Sequence, residues 1–346
     1  MDERRDVPLA PLTTLRLGGT ARRLVEVDDA AELARTVDRL DAVGEPVLVL
    51  GGGSNAVVCD EPFAGTVVLV RTRGIDVDVD ACSGAMVTAR AGEPWDELVA
   101  HAVEHRWVGI EALAGIPGLV GAVPIQNVGA YGQDVAQTIA RVHTFDRRER
   151  RTKTFAAAEC GFSYRTSRFK AEPGRYLIES VTFQLGIADL SAPVRYAELA
   201  RALGVAVGER APATSVRDAV LALRRRKGMV LDPADHDTWS AGSFFTNPVL
   251  SPQDAAALLP AEAPRWAQPD GSVKTSAAWL IDQAGFTKGY GSGPARISGK
   301  HTLALTNTGA ARTADLLELA REIRTSVTGM YGITLVPEPV LVGCSL

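Results

Sequence analysis

The sequence lacks the features that define several large classes of protein. None of its apolar runs approaches the roughly 20 residues that a membrane-spanning helix needs, and its charged N-terminus has no apolar stretch of the signal-peptide kind. Lys and Arg (37) do not outnumber Asp and Glu (41), so the formal net charge is −4. Without a cationic excess, binding to nucleic acid or to an anionic membrane is disfavoured. We therefore expect a cytoplasmic protein that binds neither.

Cysteine is scarce, and its spacing excludes the common metal and redox motifs. The chain has no CxxC, no Cys/His zinc spacing and no HExxH sequence. His101 and His105 stand four residues apart, which permits a metal pair, but the sequence indicates no third ligand nearby. We predict no metal site, and free thiols in a reducing cytosol. The cysteines are Cys59, Cys82, Cys160 and Cys344.

What is present is the composition of a globular protein with alternating helices and strands. The 346 residues are 46% hydrophobic and 23% charged, and this length predicts roughly two domains. Apolar periodicity predicts helices over 28–44, 94–107, 195–204, 215–228, 251–260, 275–285 and 313–329. It predicts strands over 46–50, 65–71, 86–92, 139–146, 176–185, 302–307 and 333–343. The polar, turn-rich stretch 232–243 predicts a domain boundary.

Two glycine-rich segments are candidates for binding a phosphate-containing cofactor. The first, LGGGSN, follows a predicted buried strand, where main-chain N–H groups can point at anionic oxygens. It fits the spacing of a Rossmann turn, but no helix is predicted after it, so that interpretation is weak. A tight strand–strand turn is the alternative. The second segment, 111–135, favours the phosphate role because two such segments can clasp one extended cofactor.

Three side chains are candidates for chemistry, each with a structural alternative. Ser243, between a glycine and two phenylalanines, is either a proton donor or a hydroxyl that bonds the local backbone. Glu338, between two prolines in an apolar run, is either a site carboxylate of raised pKa or an edge-strand residue facing water. Arg165 can either form a forked contact with a carboxylate or belong to a solvated basic turn.

Six motifs, in this order along almost the whole chain, carry a resemblance to one enzyme family. They are LGGGSN, AGIPGLVGAVPIQNVGAYG, FSYRTSRFK, AGSFFTNP, DGSVKTSAAWLID and LVPEPV. Each motif alone is only modestly specific, whereas all six in family order are highly specific. The chain resembles the UDP-N-acetylenolpyruvoylglucosamine reductases, flavoenzymes that complete UDP-N-acetylmuramate in bacterial peptidoglycan synthesis.

The resemblance implies an α+β fold with three parts. Two α+β subdomains form an FAD-binding fold of the vanillyl-alcohol-oxidase type, and a third α+β domain binds the substrate. We expect FAD-binding subdomain 1 at 1–75, subdomain 2 at 76–231 completed by the C-terminal strand 332–346, and the substrate-binding domain at 232–331. Loops such as 51–55 and 115–132 then hold the FAD pyrophosphate in place of a Rossmann helix.

The resemblance also implies two half-reactions, with FAD as the cofactor and NADPH as the co-substrate. NADPH reduces the flavin and leaves, and the enolpyruvyl sugar nucleotide enters the same site. Hydride passes from flavin N5 to the terminal carbon of the enol ether, and a proton then reaches the neighbouring carbon. Small molecules are the only partners implied, and we expect a monomer.

Residue roles follow from the matched motifs. Ser243 is the proton donor, and Arg165 and Glu338 flank the substrate carboxylate. Tyr196, Lys227, Asn247 and His301 are the expected substrate contacts, and the Tyr196 segment matches the family branch with a mobile tyrosine loop. Thr246 and His301 stand where some relatives carry Lys and Gln. The expected cofactor contacts are Gly51, Gly52, Gly53, Ser54, Asn55, Gly115, Ile116, Pro117, Gly118, Gln126, Asn127, Gly129, Ala130 and Tyr131.

Two other functions stay open at this point. A related flavoprotein with another substrate would share the FAD-binding part alone, and the AGSFFTNP and LVPEPV motifs disfavour it. A nucleotide-binding protein without catalysis is disfavoured because both glycine-rich segments are retained.

Overall fold

The computed structural model describes residues 2–80 and 84–346. Its strands are β1 (Asp2–Pro8), β2 (Thr20–Val27), β3 (Val47–Leu50), β4 (Ala56–Val58), β5 (Phe63–Val70), β6 (Ile75–Asp80), β7 (Gly84–Arg90), β8 (Trp107–Val108), β9 (Gly129–Ala130), β10 (Gln133–Asp134), β11 (Ile139–Asp146), β12 (Arg151–Ala156), β13 (Tyr176–Ile187), β14 (Val249–Leu250), β15 (Arg265–Ala267), β16 (Val273–Thr275), β17 (Ala295–Ile297), β18 (Leu305–Asn307) and β19 (Val340–Val342). Its helices are α1 (Ala30–Ala42), α2 (Trp95–Glu104), α3 (Arg168–Ala171), α4 (Ala197–Leu203), α5 (Ala213–Arg226), α6 (Pro252–Leu258), α7 (Ala277–Gln283) and α8 (Thr313–Tyr331).

The chain divides into two compact units. Unit 1 consists of Met1–Val7, Ala21–Gly52 and Phe63–Arg226, and unit 2 of Pro8–Thr20, Gly53–Pro62 and Lys227–Leu346. In the part of the chain that the structure describes, no helix has the length and apolarity needed to cross a membrane.

Unit 1 is built on two sheets. Strands β1, β2, β5 and β3 are neighbours in that order, and β5 runs parallel to both β2 and β3. Because β5 is a central parallel strand, its residues read as a continuous apolar run, and Val67, Val68 and Leu69 are fully buried. The larger sheet has the order β12-β11-β13-β7-β6 and is antiparallel. Helices α2 and α5 contribute to the core that covers it.

Unit 2 has small sheets around one apolar core. Strands β14, β16 and β15 form one sheet, β17 pairs with β18, and β4 pairs in parallel with β19. Helices α7 and α8 supply much of the core, in which Phe244 and Phe245 are each 1% exposed. Val57, from the segment after the first glycine-rich loop, is also buried there.

The boundaries of the two compact units differ from those of the three expected domains, and the three-part division stays a prediction. Segments 8–20 and 53–62 belong to unit 2, although both lie within the stretch expected to form FAD-binding subdomain 1. The C-terminal segment 332–346 also lies in unit 2 and does not complete the larger sheet of unit 1. Pro337 and Pro339 lack the N–H that a strand needs, so the predicted strand 333–343 shortens to β19, whose partner is β4.

Most predicted helices and strands are found within a few residues of their expected ends. Asp29 caps α1 as its sequence position indicates, with its carboxylate accepting the Glu32 N–H at 2.7 Å. The thiols of Cys59, Cys160 and Cys344 are free, as predicted, and Cys82 lies outside the described residues. Burial raises the pKa of the Cys160 thiol to about 11, so this side chain is an inert core residue.

A buried ion pair joins two neighbouring strands of unit 1. Asp146, the last residue of β11, is fully buried, and its Oδ2 accepts the Arg175 Nη2–H at 2.7 Å. Its Oδ1 accepts the N–H groups of Arg148 and Glu149 at 3.0 and 3.2 Å. The Arg175 hydrogen bonds in particular hold the pKa of this carboxyl below its usual value.

We expect Asp146→Asn to lower the free energy of unfolding by about 2 kcal/mol at neutral pH, since charged hydrogen bonds to a buried group are lost. An exposed Asp78→Asn control on β6 should change it by no more than about 0.5 kcal/mol. Because the folded-state pKa is lowered, the contribution of Asp146 is complete above about pH 4 and fades as the pH falls through that pKa. Urea unfolding against pH measures this, and an Asp146→Asn effect that grows below pH 4 would contradict the assignment.

Candidate active site

The two glycine-rich segments meet in unit 1. A β-carbon placed on Gly52 would lie 3.0 Å from the Cα of Gly118, and one on Gly51 would lie 3.4 Å from the Leu119 side chain. Gly118 itself has φ 118°, which disfavours any side chain. The main chains of the two segments therefore approach each other more closely than residues with side chains would permit.

The remainder of the first loop lies in unit 2. Gly53 has φ +59°, and a β-carbon there would lie 2.1 Å from the Leu12 carbonyl oxygen, so only glycine fits. Ser54 and Asn55 are half-buried. The loop continues into β4 and not into a helix, which confirms that this is not a Rossmann turn.

Two hydrogen bonds hold the second segment against the start of α2. The Gly115 N–H donates to Asp96 Oδ1 at 2.6 Å, and the Trp95 N–H donates to the Gly118 carbonyl at 3.0 Å. Ile116 and Pro117, between these two anchors, are half-buried. The loop is thus positioned at both ends by the first turn of one helix.

Further along, the same segment supports Arg165. The Arg165 guanidinium donates from Nη1 to the Asn127 carbonyl at 3.3 Å and from Nη2 to the Gly129 carbonyl at 2.7 Å. The Asn127 side chain donates to the Ser163 carbonyl at 3.1 Å. Arg165 is half-buried, so it is an ordered side chain and not part of a solvated turn.

A second arginine, which the sequence analysis did not single out, shares the surroundings of Arg165 and Tyr131. Burial, with a smaller contribution from the positive charge of Arg165, lowers the pKa of Arg224 to about 10. Burial raises the pKa of Tyr131 to about 12. Two guanidinium groups in a partly desolvated place attract an anion. Arg224 follows Val216 and Val220 at helical spacing on α5, and this spacing is the sequence signal that could have found it.

The expected ligand residues of unit 1 have the following positions. Tyr196 is 44% exposed, immediately before α4, and its ring meets that of Tyr131 edge-on at 5.4 Å. Ala130 lies in β9, and Gln126 is half-buried.

Ser243 and Glu338 are brought together in unit 2. Phe244, next to Ser243, donates its N–H to the Leu303 carbonyl at 2.7 Å and accepts the Glu338 N–H at 2.8 Å. The Ser243 segment therefore runs between 303–304 and 336–338. Ser240 stabilises the backbone turn just before Ser243, because its Oγ accepts the Gly242 N–H at 3.2 Å.

Glu338 is not an edge residue facing water. Its side chain is only 9% exposed, and its carbonyl accepts the Asn55 side-chain amide at 3.4 Å. Asn55, in turn, accepts the Val340 N–H at 2.9 Å with its own carbonyl. A residue expected to bind the cofactor thus supports the main chain on both sides of Pro339.

The remaining expected substrate residues also lie in unit 2. His301 Nδ1 accepts the Leu303 N–H at 3.1 Å, so this imidazole orders the turn before β18, beside Ser243. Asn247 Oδ1 accepts the Ala277 N–H at 3.0 Å, at the start of α7. Lys227, the first residue of this unit after α5, is half-buried.

Comparison with known proteins covers both glycine-rich segments and the Ser243 region. Residues 21–150 match the sequence model of an FAD binding domain, and residues 232–342 match that of the UDP-N-acetylenolpyruvoylglucosamine reductase C-terminal domain. The reductases of that name from Cutibacterium acnes and Streptomyces avermitilis are 57% and 56% identical to it, over 99% and 100% of this chain and 90% and 96% of theirs. The chain belongs to the UDP-N-acetylenolpyruvoylglucosamine reductase family.

The fold agrees with this family. The crystal structure of the UDP-N-acetylenolpyruvylglucosamine reductase from Thermus caldophilus is similar, with a TM-score of 0.66 at 26% identity, over 99% of this chain and 98% of that one. The expected α+β fold with an FAD-binding part is confirmed, and the chain is an FAD-dependent oxidoreductase. The glycines at positions 52 and 118 fit this cofactor, because a main chain without side chains can point its N–H groups at a diphosphate.

A buried carboxylate near the second segment was missed from the sequence. Glu111 is fully buried; its Oε2 accepts the Gly109 N–H at 2.5 Å, and its Oε1 accepts the Ala192 N–H at 2.7 Å. Gln133 donates to the same Oε1 at 3.1 Å and accepts the Ala112 N–H at 2.9 Å. One carboxylate therefore ties the start of the glycine-rich segment to the loop that precedes Tyr196.

We expect Gly52→Ala to weaken FAD binding at least tenfold, about 1.4 kcal/mol, because its β-carbon would push the two segments apart. Fluorescence titration of the apoprotein with FAD measures this. Gly329→Ala is the matched control, since a β-carbon there meets no atom within 4 Å. An unchanged FAD affinity in Gly52→Ala would show that the close approach does not shape the cofactor site.

We expect Glu111→Gln to lower the free energy of unfolding by about 2 kcal/mol. Both carboxylate oxygens of Glu111 accept N–H groups. An amide NH₂ in either position would therefore face another N–H donor and lose that hydrogen bond. Exposed Glu97→Gln on α2 is the control. Adding Gln133→Glu should recover part of the loss, because the carboxylate introduced there would accept a hydrogen bond from the new amide. Equal stability of Glu111→Gln and the native chain in urea unfolding would refute this role.

Proposed function

We propose that Ser243, Arg165 and Glu338 are the catalytic residues of the family reaction in this chain. The reaction is the NADPH-dependent reduction of UDP-N-acetyl-3-O-(1-carboxyvinyl)-glucosamine to UDP-N-acetylmuramate, a step of peptidoglycan synthesis. The observation that carries the assignment is the main-chain pairing that sets Ser243 beside Glu338, with Phe244 bonded to Glu338 at 2.8 Å.

The reaction adds one hydride and one proton across a carbon–carbon double bond. The chemistry that bound FAD supplies is hydride transfer, taking hydride from NADPH and giving it to the terminal carbon of the enol ether. The protein must then deliver a proton to the neighbouring carbon. The Ser243 hydroxyl is a weak acid, but a carbanion-like carbon is a strong base, so position matters more than acidity. Buried Phe244 and its hydrogen bonds on both sides supply that position.

Arg165 and Glu338 act on the substrate carboxylate, toward which negative charge develops. The Arg165 guanidinium is ordered in advance by the carbonyls of Asn127 and Gly129, so it stabilises this charge without reorganising. Glu338, if protonated, donates a hydrogen bond to the same group, as buried carboxyls of raised pKa do. Glu338 is only 9% exposed, so it is largely withdrawn from bulk water.

The other expected residues contact the cofactor or substrate around this centre. Tyr196, exposed and edge-on to Tyr131, is available to contact the UDP diphosphate and belongs to the mobile tyrosine loop. Lys227 supplies a cation for the same diphosphate. Asn247 and His301 order the substrate-binding elements through Ala277 and Leu303. We further propose that the chain works as a cytoplasmic monomer on these small molecules alone.

Ser243→Ala should separate the two half-reactions. We expect NADPH to bleach the flavin at the native rate, whereas reoxidation by the enolpyruvyl sugar nucleotide should slow about 10²–10⁴-fold, the usual contribution of general acid catalysis. Anaerobic stopped-flow absorbance measures both rates. Exposed Ser292→Ala is the control. Reoxidation of Ser243→Ala at the native rate would exclude Ser243 as the proton donor, and bleaching without recovery in the native enzyme would exclude this substrate.

A further inference from the structure

The last turn of α2 and the residue that follows it carry three metal-ligand side chains outside the cofactor and substrate residues. His101, Glu104 and His105 each offer a donor atom, and these atoms all lie within 4.8 Å of one another. Their spacing, i, i+3 and i+4, places them on one helix face. In the order His-x-x-Glu-His, the two histidines stand four residues apart on one helix face, as metal-binding histidine pairs do. The sequence analysis found the histidine pair without a third ligand, and Glu104 supplies it.

The histidine rings are oriented for binding. His105 Nδ1 lies 2.9 Å from the His101 carbonyl oxygen. Because a carbonyl only accepts, Nδ1 carries the proton, which leaves the Nε2 lone pair for a metal, as in most histidine ligands. The two rings are 4.2 Å apart, and His105 stacks at 4.9 Å on Trp107, which is 6% exposed. A buried tryptophan thus restricts the rings before any ion arrives.

The electrostatics of this place also favour a cation. Carbonyl groups at the C-terminal end of a helix carry partial negative charge, and the Glu104 carboxylate adds to it. Glu104 and His105 are exposed, and His101 is half-buried. An ion can therefore enter from solvent, and water can complete its coordination.

We propose that His101, Glu104 and His105 bind one divalent ion of the Zn²⁺ class and stabilise the junction of α2 and β8. Two imidazoles and one carboxylate suit Zn²⁺, Ni²⁺ or Cu²⁺ better than Mg²⁺ or Ca²⁺. Tetrahedral Zn²⁺ with bonds of about 2.0–2.1 Å holds its ligand atoms roughly 3.3 Å apart. The exposed side chains therefore draw together on binding.

The test is calorimetric titration of the holoenzyme with ZnCl₂. We expect one ion per chain, affinity at least tenfold weaker in His101→Ala and in His105→Ala, and no change in His143→Ala, a control histidine on β11. Cu²⁺ should quench the fluorescence of Trp107, and the quenched fraction should fall in Trp107→Phe.

Reductase turnover without added metal shows that each variant is folded, because none of these residues belongs to the catalytic machinery. No saturable Zn²⁺ binding to the native holoenzyme would overturn the proposal. Unchanged binding in the double variant His101→Ala/His105→Ala would overturn it as well, because the ion would then occupy another place.

Discussion

The closeness of two main chains, at Gly52 and Gly118, is the constraint on which unit 1 depends. A β-carbon on Gly52 would lie 3.0 Å from the Gly118 Cα, and Gly118 has φ 118°, so both positions favour glycine. This contact ties the end of β3 to the start of α2, because Trp95 bonds the Gly118 carbonyl. The same contact that favours glycine at positions 52 and 118 therefore also fixes the elements that flank the proposed cofactor residues.

Left-handed backbone at residues other than glycine concentrates at the proposed site. Among the described residues, seven non-glycine positions have positive φ, and three of them are Asn127, Tyr131 and Arg165. Such conformations persist only where surrounding contacts enforce them. Here the Asn127 side chain donates to the Ser163 carbonyl and accepts the Ala136 N–H. The main-chain carbonyl of Asn127 accepts a hydrogen bond from the Arg165 guanidinium. Strain and electrostatic order occur on the same residues, which is consistent with a guanidinium prepared for an anion.

The sequence was sufficient for features that depend on local pattern. Apolar periodicity located seven of the eight helices in the described residues, all but the short α3, and the motifs located both glycine-rich segments and the Ser243 region. It was insufficient where a residue acts through distant partners. Glu111 accepts a hydrogen bond from Ala192, 81 positions away, and the sequence around Glu111 contains no signal for that partner. Similarly, the basic run ending α5 predicts exposed cations that complement a helix dipole, whereas packing leaves Arg224 among them half-buried.

The role proposed for Ser243 requires that the fold make a weak acid effective. A hydroxyl gains little from any plausible pKa shift, so its rate contribution must come from fixed geometry. Unit 2 fixes that geometry through the neighbours of Ser243 and not through its side chain. Phe244 and Phe245 are each 1% exposed, and main-chain hydrogen bonds join Phe244 to Leu303 on one side and Glu338 on the other. Displacing the serine would require opening the apolar core, so the core itself holds the proposed proton donor in place.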